Sequence, residues 1–210
     1  MSNSNLWVGL LVVGPIQTNC YIVKNEELPG RCVLVDPGDD AERILTALSR
    51  LEVRPEAILL THAHFDHIQA VNALKEAFPE VVICLAEKER ALAENPELSN
   101  PFQKEDYVIS PDRWLQDGDE LSFIGCSFTV LASPGHTAGS VCYYLKEQDL
   151  LFAGDTIFLD SCGRTDLPTG SEQAMRETLQ RLLSTLPPQT AVYPGHGPET
   201  TVEHERDYLT

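Results

Sequence analysis

Directly behind the apolar run Ile58-Leu59-Leu60, the chain places three histidines and an aspartate within six positions, His62 to His67. A strand feeding straight into so many ligand-bearing side chains reads as one part of a metal site whose remaining ligands come from elsewhere in the fold. His62 and His64 are two apart and point to the same side of an extended segment. Asp66 and His67 are adjacent and can face a second ion from the first turn of a helix. One short stretch can therefore serve two cations.

A single histidine is more often an ordinary surface or core residue than a ligand. Clustering changes that reading. The chain has six histidines; three fall in this stretch and two more follow Pro-Gly, in Pro134-Gly135-His136 and Pro194-Gly195-His196. Such turns sit at strand ends, where loops gather side chains into a site. His204, in Glu203-His204-Glu205-Arg206, fits a solvated helix better and is left outside the site.

Periodicity orders the rest. Leu6–Val13, Tyr21–Val23 and Arg31–Val35 read as a β-meander, and Asp36-Pro37-Gly38-Asp39-Asp40 breaks it and caps a helix running through Leu51. Ala57–Thr61 is a buried strand into the cluster. Ile68, Val71, Leu74 and Phe78 recur at helical spacing, so a helix is expected from the cluster to the residue before Pro79. Val81–Leu85 reads as a strand, Glu87–Ala93 as a short helix, and Glu94 to Arg113 as a long loop beside the site. Leu121–Ile124, Phe128–Ala132, Val141–Leu145 and Leu150–Ala153 are strands, followed by a helix Ser171–Leu183 and a strand Ala191–Tyr193. Two sheets packed face to face with helices outside accommodate this order, with the ligand-bearing loops along one edge of the sandwich.

Chain length and 42% hydrophobic residues support one domain spanning 1–210. Fifteen basic against 32 acidic residues give a net charge of −17, which argues against nucleic acid and against anionic membranes as partners. The apolar stretch Leu6–Val13 contains Gly9 and has no basic residue before it, so it reads as a strand rather than a secretion signal. The six cysteines form no Cys-x-x-Cys pair, and all but Cys162 sit in β-like apolar runs, so reduced core thiols and a cytoplasmic location are expected. Cys162 lies among polar and glycine residues in Asp160-Ser161-Cys162-Gly163-Arg164 and is read as a spectator beside the site.

His62-Ala63-His64-Phe65-Asp66-His67, then Gly135-His136-Thr137-Ala138-Gly139-Ser140, Gly154-Asp155-Thr156 and Gly195-His196-Gly197 follow one another in the order and approximate spacing of the metallo-β-lactamase-fold hydrolases, which the chain resembles over nearly its whole length. The resemblance implies an α+β, four-layer αββα sandwich of two mixed β-sheets with helices outside. It assigns His62, His64 and His136 to a first metal, Asp66, His67 and His196 to a second, and Asp155 to a bridging position. By position alone, Asp155 could equally cap the turn after Leu150–Ala153. Imidazole and carboxylate donors suit two divalent ions, Zn²⁺ first, with Fe²⁺ or Mn²⁺ as alternatives.

Within that fold, Gly163-Arg164-Thr165-Asp166-Leu167-Pro168 and Glu94-Asn95-Pro96-Glu97-Leu98 resemble the short bacterial glyoxalase II type, the hydroxyacylglutathione hydrolases. The longer enzymes of that group carry a C-terminal helical domain that grips glutathione, and thirteen residues follow Gly197 here. The implied reaction is hydrolysis of a small-molecule thioester such as S-lactoylglutathione by a water that two cations activate and Asp66, the catalytic residue, orients. A thiolate with a pKa of roughly 8.5 leaves without a dedicated acid. Arg164 is the candidate for holding a substrate carboxylate, set against an ordinary salt bridge to Asp166 or Asp160. The alternatives are an activated ester or lactone hydrolase and a mononuclear iron persulfide dioxygenase, whose family shares the Cys-Gly-Arg-Thr-Asp segment. A β-lactamase and a nuclease are disfavoured by the missing export signal and by the acidic charge.

Overall fold

The computed structural model describes residues 6–101 and 107–209. The N-terminal meander forms where its apolar runs and the turns between them place it: β1 (Leu6–Val13), β2 (Thr18–Asn25) and β3 (Arg31–Val35) pair antiparallel. After α1 (Ala41–Arg50), β4 (Arg54–Leu59) joins β3 in parallel. Two helices, α2 (Phe65–Ile68) and α3 (Val71–Ala77), lead to β5 (Val82–Ala86), parallel to β4. The short helices α4 (Arg90–Glu94) and α5 (Pro96–Ser99) precede β6 (Arg113–Leu115), which completes a mixed sheet in the order β1 to β6.

The second sheet is built from β7 (Glu120–Phe123), β8 (Cys126–Ala132), β9 (Val141–Leu145) and β10 (Leu150–Gly154). A two-strand hairpin, β11 (Ile157–Phe158) and β12 (Ser161–Cys162), and the long helix α6 (Glu172–Thr185) follow. Then β13 (Ala191–Pro194) returns parallel to β10, and β14 (Thr200–Thr201) and α7 (Val202–Leu209) end the described chain. The order is β14-β13-β10-β9-β8-β7, again a mixed six-stranded sheet.

Three apolar layers separate four layers of structure. Ile44, Leu48, Leu74 and Ile58 fill the space between α1, α3 and the first sheet. Val33, Leu59, Phe128, Tyr143 and Phe152 lie between the sheets, and Leu151, Met175, Leu182 and Val202 lie under α6 and α7. Consecutive residues on a strand serve opposite cores, Ile58 outward and Leu59 inward, Leu151 outward and Phe152 inward. Sheets buried on both faces need such continuous apolar runs, which is why Ile58-Leu59-Leu60 shows no alternation.

Several local differences from the sequence reading have physical causes. The helix behind the cluster is interrupted because the Gln69 N–H donates to both Gly38 O and Phe65 O, and the Ala70 N–H donates to Pro37 O, so backbone groups are drawn to the turn after β3. That close approach needs Gly38, since a Cβ there would overlap the Asp66 carbonyl oxygen. The stretch read as a long loop, Glu94 to Arg113, contains α5, whose cap Asn95 accepts from the Glu97 N–H at 3.0 Å, and the start of β6; its residues 102–106 lie outside the described residues. The β11–β12 hairpin and β14 are additional elements, and α7 is the helix that carries His204. No helix among the described residues is long and apolar enough to cross a membrane.

Candidate metal centre

Each group of site residues sits just beyond the C-terminal end of a strand: His62 to His67 after β4, His136 after β8, Asp155 after β10 and His196 after β13. Because β8, β10 and β13 run the same way, their loops share one edge. The first sheet is fastened to that edge by Val141 N–H to Thr61 O (2.9 Å) and Tyr143 Oη to Leu60 O (2.7 Å). From β2, the Asn19 N–H donates to Gly195 O at 2.7 Å, and Asn19 Nδ2 donates to Pro194 O and Gly197 O, which holds the His196 turn in place. All seven residues singled out by the sequence meet here. Donor atoms of His62, His64 and His136 lie within 4.8 Å of one another, as do those of Asp66, His67 and His196, and those of His62, His67 and Asp155. Asp155 faces both sides: Oδ1 is 3.4 Å from His67 Nε2, and Oδ2 is 3.4 Å from His136 Nε2 and 3.6 Å from His196 Nε2. Residue 195 must be glycine, because a Cβ would overlap Asp155 Oδ1.

Hydrogen bonds on the far side of each ring orient the imidazoles. His136 Nδ1 donates to Arg164 O (2.7 Å), His196 Nδ1 to Gln17 O (3.3 Å) and His67 Nδ1 to Asp36 Oδ2 (3.0 Å). Thr61 Oγ1, which donates to Asp36 Oδ2 at 2.7 Å, accepts from His62 Nδ1 at 3.1 Å. A ring whose Nδ1 carries the proton presents a lone pair at Nε2, as metal-binding histidines do. His62 Nε2, His67 Nε2 and Asp155 Oδ1 are buried with no hydrogen-bond partner among the described residues. His64 differs: its Nδ1 faces His136 Nε2 at 2.8 Å.

The electrostatics divide the cluster in two. Burial, then the neighbouring imidazoles, lowers the His62 pKa well below its ordinary value, and the same causes bring His64 down to about 3, so both rings are neutral and free to ligate. At His67 burial acts downward, but the carboxylates of Asp66, Asp155 and Asp36 outweigh it and raise the pKa. Three acidic groups around one buried ring make a place that demands positive charge. Burial favours the protonated form of Asp66, yet His67 and His196 prevail and keep its carboxyl well below the usual carboxylate range. Two triads of imidazole and carboxylate donors sharing Asp155 fit a pair of divalent cations of the zinc, iron or manganese kind.

Two residues that sequence reasoning passed over hold this arrangement. Asp36, 2% exposed, accepts from the Thr61 N–H at 2.8 Å as well as from Thr61 Oγ1 and His67. Glu89, fully buried, accepts from the Ala63 N–H (2.8 Å), Thr137 Oγ1 (2.7 Å) and the Gly139 N–H (2.9 Å), and so joins the loop of His62 and His64 to the loop of His136. Burial raises the Glu89 pKa despite these donors. An acidic residue just past a strand end, or alone on an otherwise apolar face, was the available signal for each.

The centre opens into a cleft of about 440 Å³ walled by Ile16, Phe65, Pro101, Phe158 and Leu167, with Arg164 at its rim. The Arg164 guanidinium pairs with Asp166, Nε to Oδ1 and Nη2 to Oδ2, both at 2.7 Å, while Asp160 pairs instead with His204. Cys162 is half-buried in β12 and does not line the cleft, and the other five cysteines are buried and free.

The model of the Metallo-beta-lactamase superfamily matches residues 13–196. The chain belongs to that superfamily. Among members, it is 37% identical over 198 residues to the probable metallo-hydrolase YqgX of Bacillus subtilis (strain 168), covering 93% of this chain and 92% of that one. It is 32% identical over 202 residues to hydroxyacylglutathione hydrolase GloC of Haemophilus influenzae, covering 95% and 94%. Crystal structures agree: BLEG-1 B3 metallo-beta-lactamase superposes with a TM-score of 0.91 at 39% identity, over 97% of this chain and 100% of that one. TTHA1623 in a di-iron-bound form superposes with 0.84 at 39% identity, over 96% and 98%. Superfamily membership together with the histidine-rich centre makes the protein a metal-dependent hydrolase.

Proposed function

We infer that the protein hydrolyses a small-molecule thioester of the S-lactoylglutathione class with two divalent ions, zinc first, in one cytoplasmic domain. The observation that carries this is the pair of donor triads joined by Asp155, with His62 Nε2 and His67 Nε2 buried and without hydrogen-bond partners among the described residues. His62, His64 and His136 would hold one ion, and Asp66, His67 and His196 the other. Such a pair, when bound, lowers the pKa of water toward neutrality and polarises a carbonyl oxygen. The GloC relative, by name a hydroxyacylglutathione hydrolase, supports the substrate class, and the di-iron-bound form of TTHA1623 supports a pair of ions.

The remaining steps belong to the chain itself. Thr18 Oγ1 donates to Asp66 Oδ2 at 3.0 Å and fixes the carboxylate, which orients the attacking water. Ile16, Phe65, Phe158 and Leu167 enclose the acyl group and exclude bulk water, so that water is delivered only at the centre. The departing thiolate is stable enough to leave without a proton from the protein. Arg164 at the rim would steer a substrate carboxylate. Its bidentate pair with Asp166 supports a second reading, in which the substrate is an uncharged activated ester or lactone.

The test is metal analysis of the purified protein followed by assays on S-lactoylglutathione, a lactone panel and β-lactams, with oxygen uptake recorded. Two metals and oxygen-independent thioester cleavage are expected. One iron with substrate-dependent oxygen consumption would replace this reading with a persulfide dioxygenase.

A further inference from the structure

Away from the cleft, the turn of the β11–β12 hairpin meets the last helix. Asp160, in the left-handed region at φ 56°, turns its carboxylate onto α7, where Oδ1 lies 2.6 Å from His204 Nε2. The His204 ring is held by stacking on Tyr208, with centroids 5.0 Å apart and planes 24° from parallel. Beneath them Glu205 Oε1 lies 3.9 Å from the same Nε2 and accepts from Thr200 Oγ1 (2.6 Å) and the Asp160 N–H (3.3 Å). Glu205 is fully buried, and its Oε2 has no hydrogen-bond partner among the described residues. A buried carboxylate oxygen with no donor is expensive and calls for a donor, a water or a cation.

We propose that Asp160, His204 and Glu205 form a third, peripheral binding site for a divalent cation of the zinc class. Their donor atoms lie within 4.8 Å of one another, one imidazole nitrogen and two carboxylate groups. That set suits zinc, with solvent completing the tetrahedron, and suits calcium and magnesium poorly because they favour all-oxygen shells. Asp160 and His204 are partly exposed, so an ion has an entry path. The ion takes the place of the proton shared between Asp160 and His204 and releases it to solvent. Its structural effect is to pin the hairpin to α7. The hairpin carries Phe158, a wall of the cleft whose ring stands 6.1 Å from that of His196 and nearly perpendicular to it.

The site goes beyond the proposed hydrolase reaction and is testable apart from it. The full chain, stripped with chelator, is dialysed against zinc, and bound metal is counted for wild type, His204→Ala, Asp160→Asn and His62→Ala. Wild type is expected to bind one more zinc per chain than His204→Ala or Asp160→Asn. His62→Ala is expected to keep that additional zinc while its inner centre is impaired, which separates failure of the peripheral site from failure of the inner pair. Equal zinc counts in wild type, His204→Ala and Asp160→Asn would overturn the proposal.

Discussion

Asp36→Asn probes how the centre is held without touching an ion. In the native chain Oδ1 accepts from the Thr61 N–H, while Oδ2 accepts from Thr61 Oγ1 and His67 Nδ1. An asparagine of the same shape has one oxygen for these two positions. If that oxygen stays on the Thr61 N–H, the amide NH₂ confronts His67 Nδ1, which must give up its proton and place it on Nε2, the atom facing Asp66 and Asp155. If the amide is flipped, NH₂ faces the buried Thr61 N–H, and leaving such a donor unsatisfied costs about 1–3 kcal/mol. Losing a partner behind a ligand typically weakens metal binding about 10–100-fold, or roughly 1.4–2.8 kcal/mol. Zinc affinity measured by chelator competition should fall within that range, with thermal unfolding of the metal-free protein recorded alongside to separate ligation from folding. Unchanged zinc affinity would refute the role given to Asp36 in setting the His67 tautomer.

Other perturbations test other parts. His62→Ala and Asp155→Ala should lose bound metal and turnover together, and a variant retaining both would remove that residue from the ligand set. Arg164→Ala should raise KM for an anionic thioester while leaving kcat unchanged; an unaltered KM would reduce its role to the pair with Asp166. Phe152→Ala empties the space between the rings of Tyr21 and Tyr193, with centroids at 5.3 and 5.6 Å, and should cost about 3–5 kcal/mol, read as a lowered denaturant midpoint. The Asp40 carboxyl lies below the ordinary 3.8 because it accepts from the Gly14 N–H and from Arg43. The folded state therefore binds fewer protons there, and the contribution is complete above 3.8 and disappears as pH falls through the lower folded value. Asp40→Asn should be less stable than wild type at neutral pH, with the gap closing in acid; a gap independent of pH would contradict the linkage.

What the sequence disclosed depended on how local the determining contacts are. His62, His64, Asp66 and His67 stand together in the chain, and His136 and His196 are flagged by Pro-Gly, so the members of both triads stood out in the sequence, while their division into two triads came from the family resemblance. Asp155 has no local mark beyond a strand end and emerged only through the order of the motifs. Asp36 and Glu89 act across 25 to 50 positions of sequence, through single side-chain acceptors that leave no period in the pattern. The strands of the sandwich interior were legible because burial on two faces writes long apolar runs. β11, β12 and β14, two residues each, are too short to write any pattern, and the interruption between α2 and α3 is imposed by the distant carbonyls of Pro37 and Gly38.

The central claim is that seven side chains hold two ions in one cleft. Anomalous diffraction at the metal absorption edge, from crystals of metal-loaded protein, tests it most directly. Two peaks are expected in the cleft, one among His62, His64 and His136 and one among Asp66, His67 and His196, with Asp155 between them. A single peak there, or two peaks that Asp155 does not touch, would contradict it.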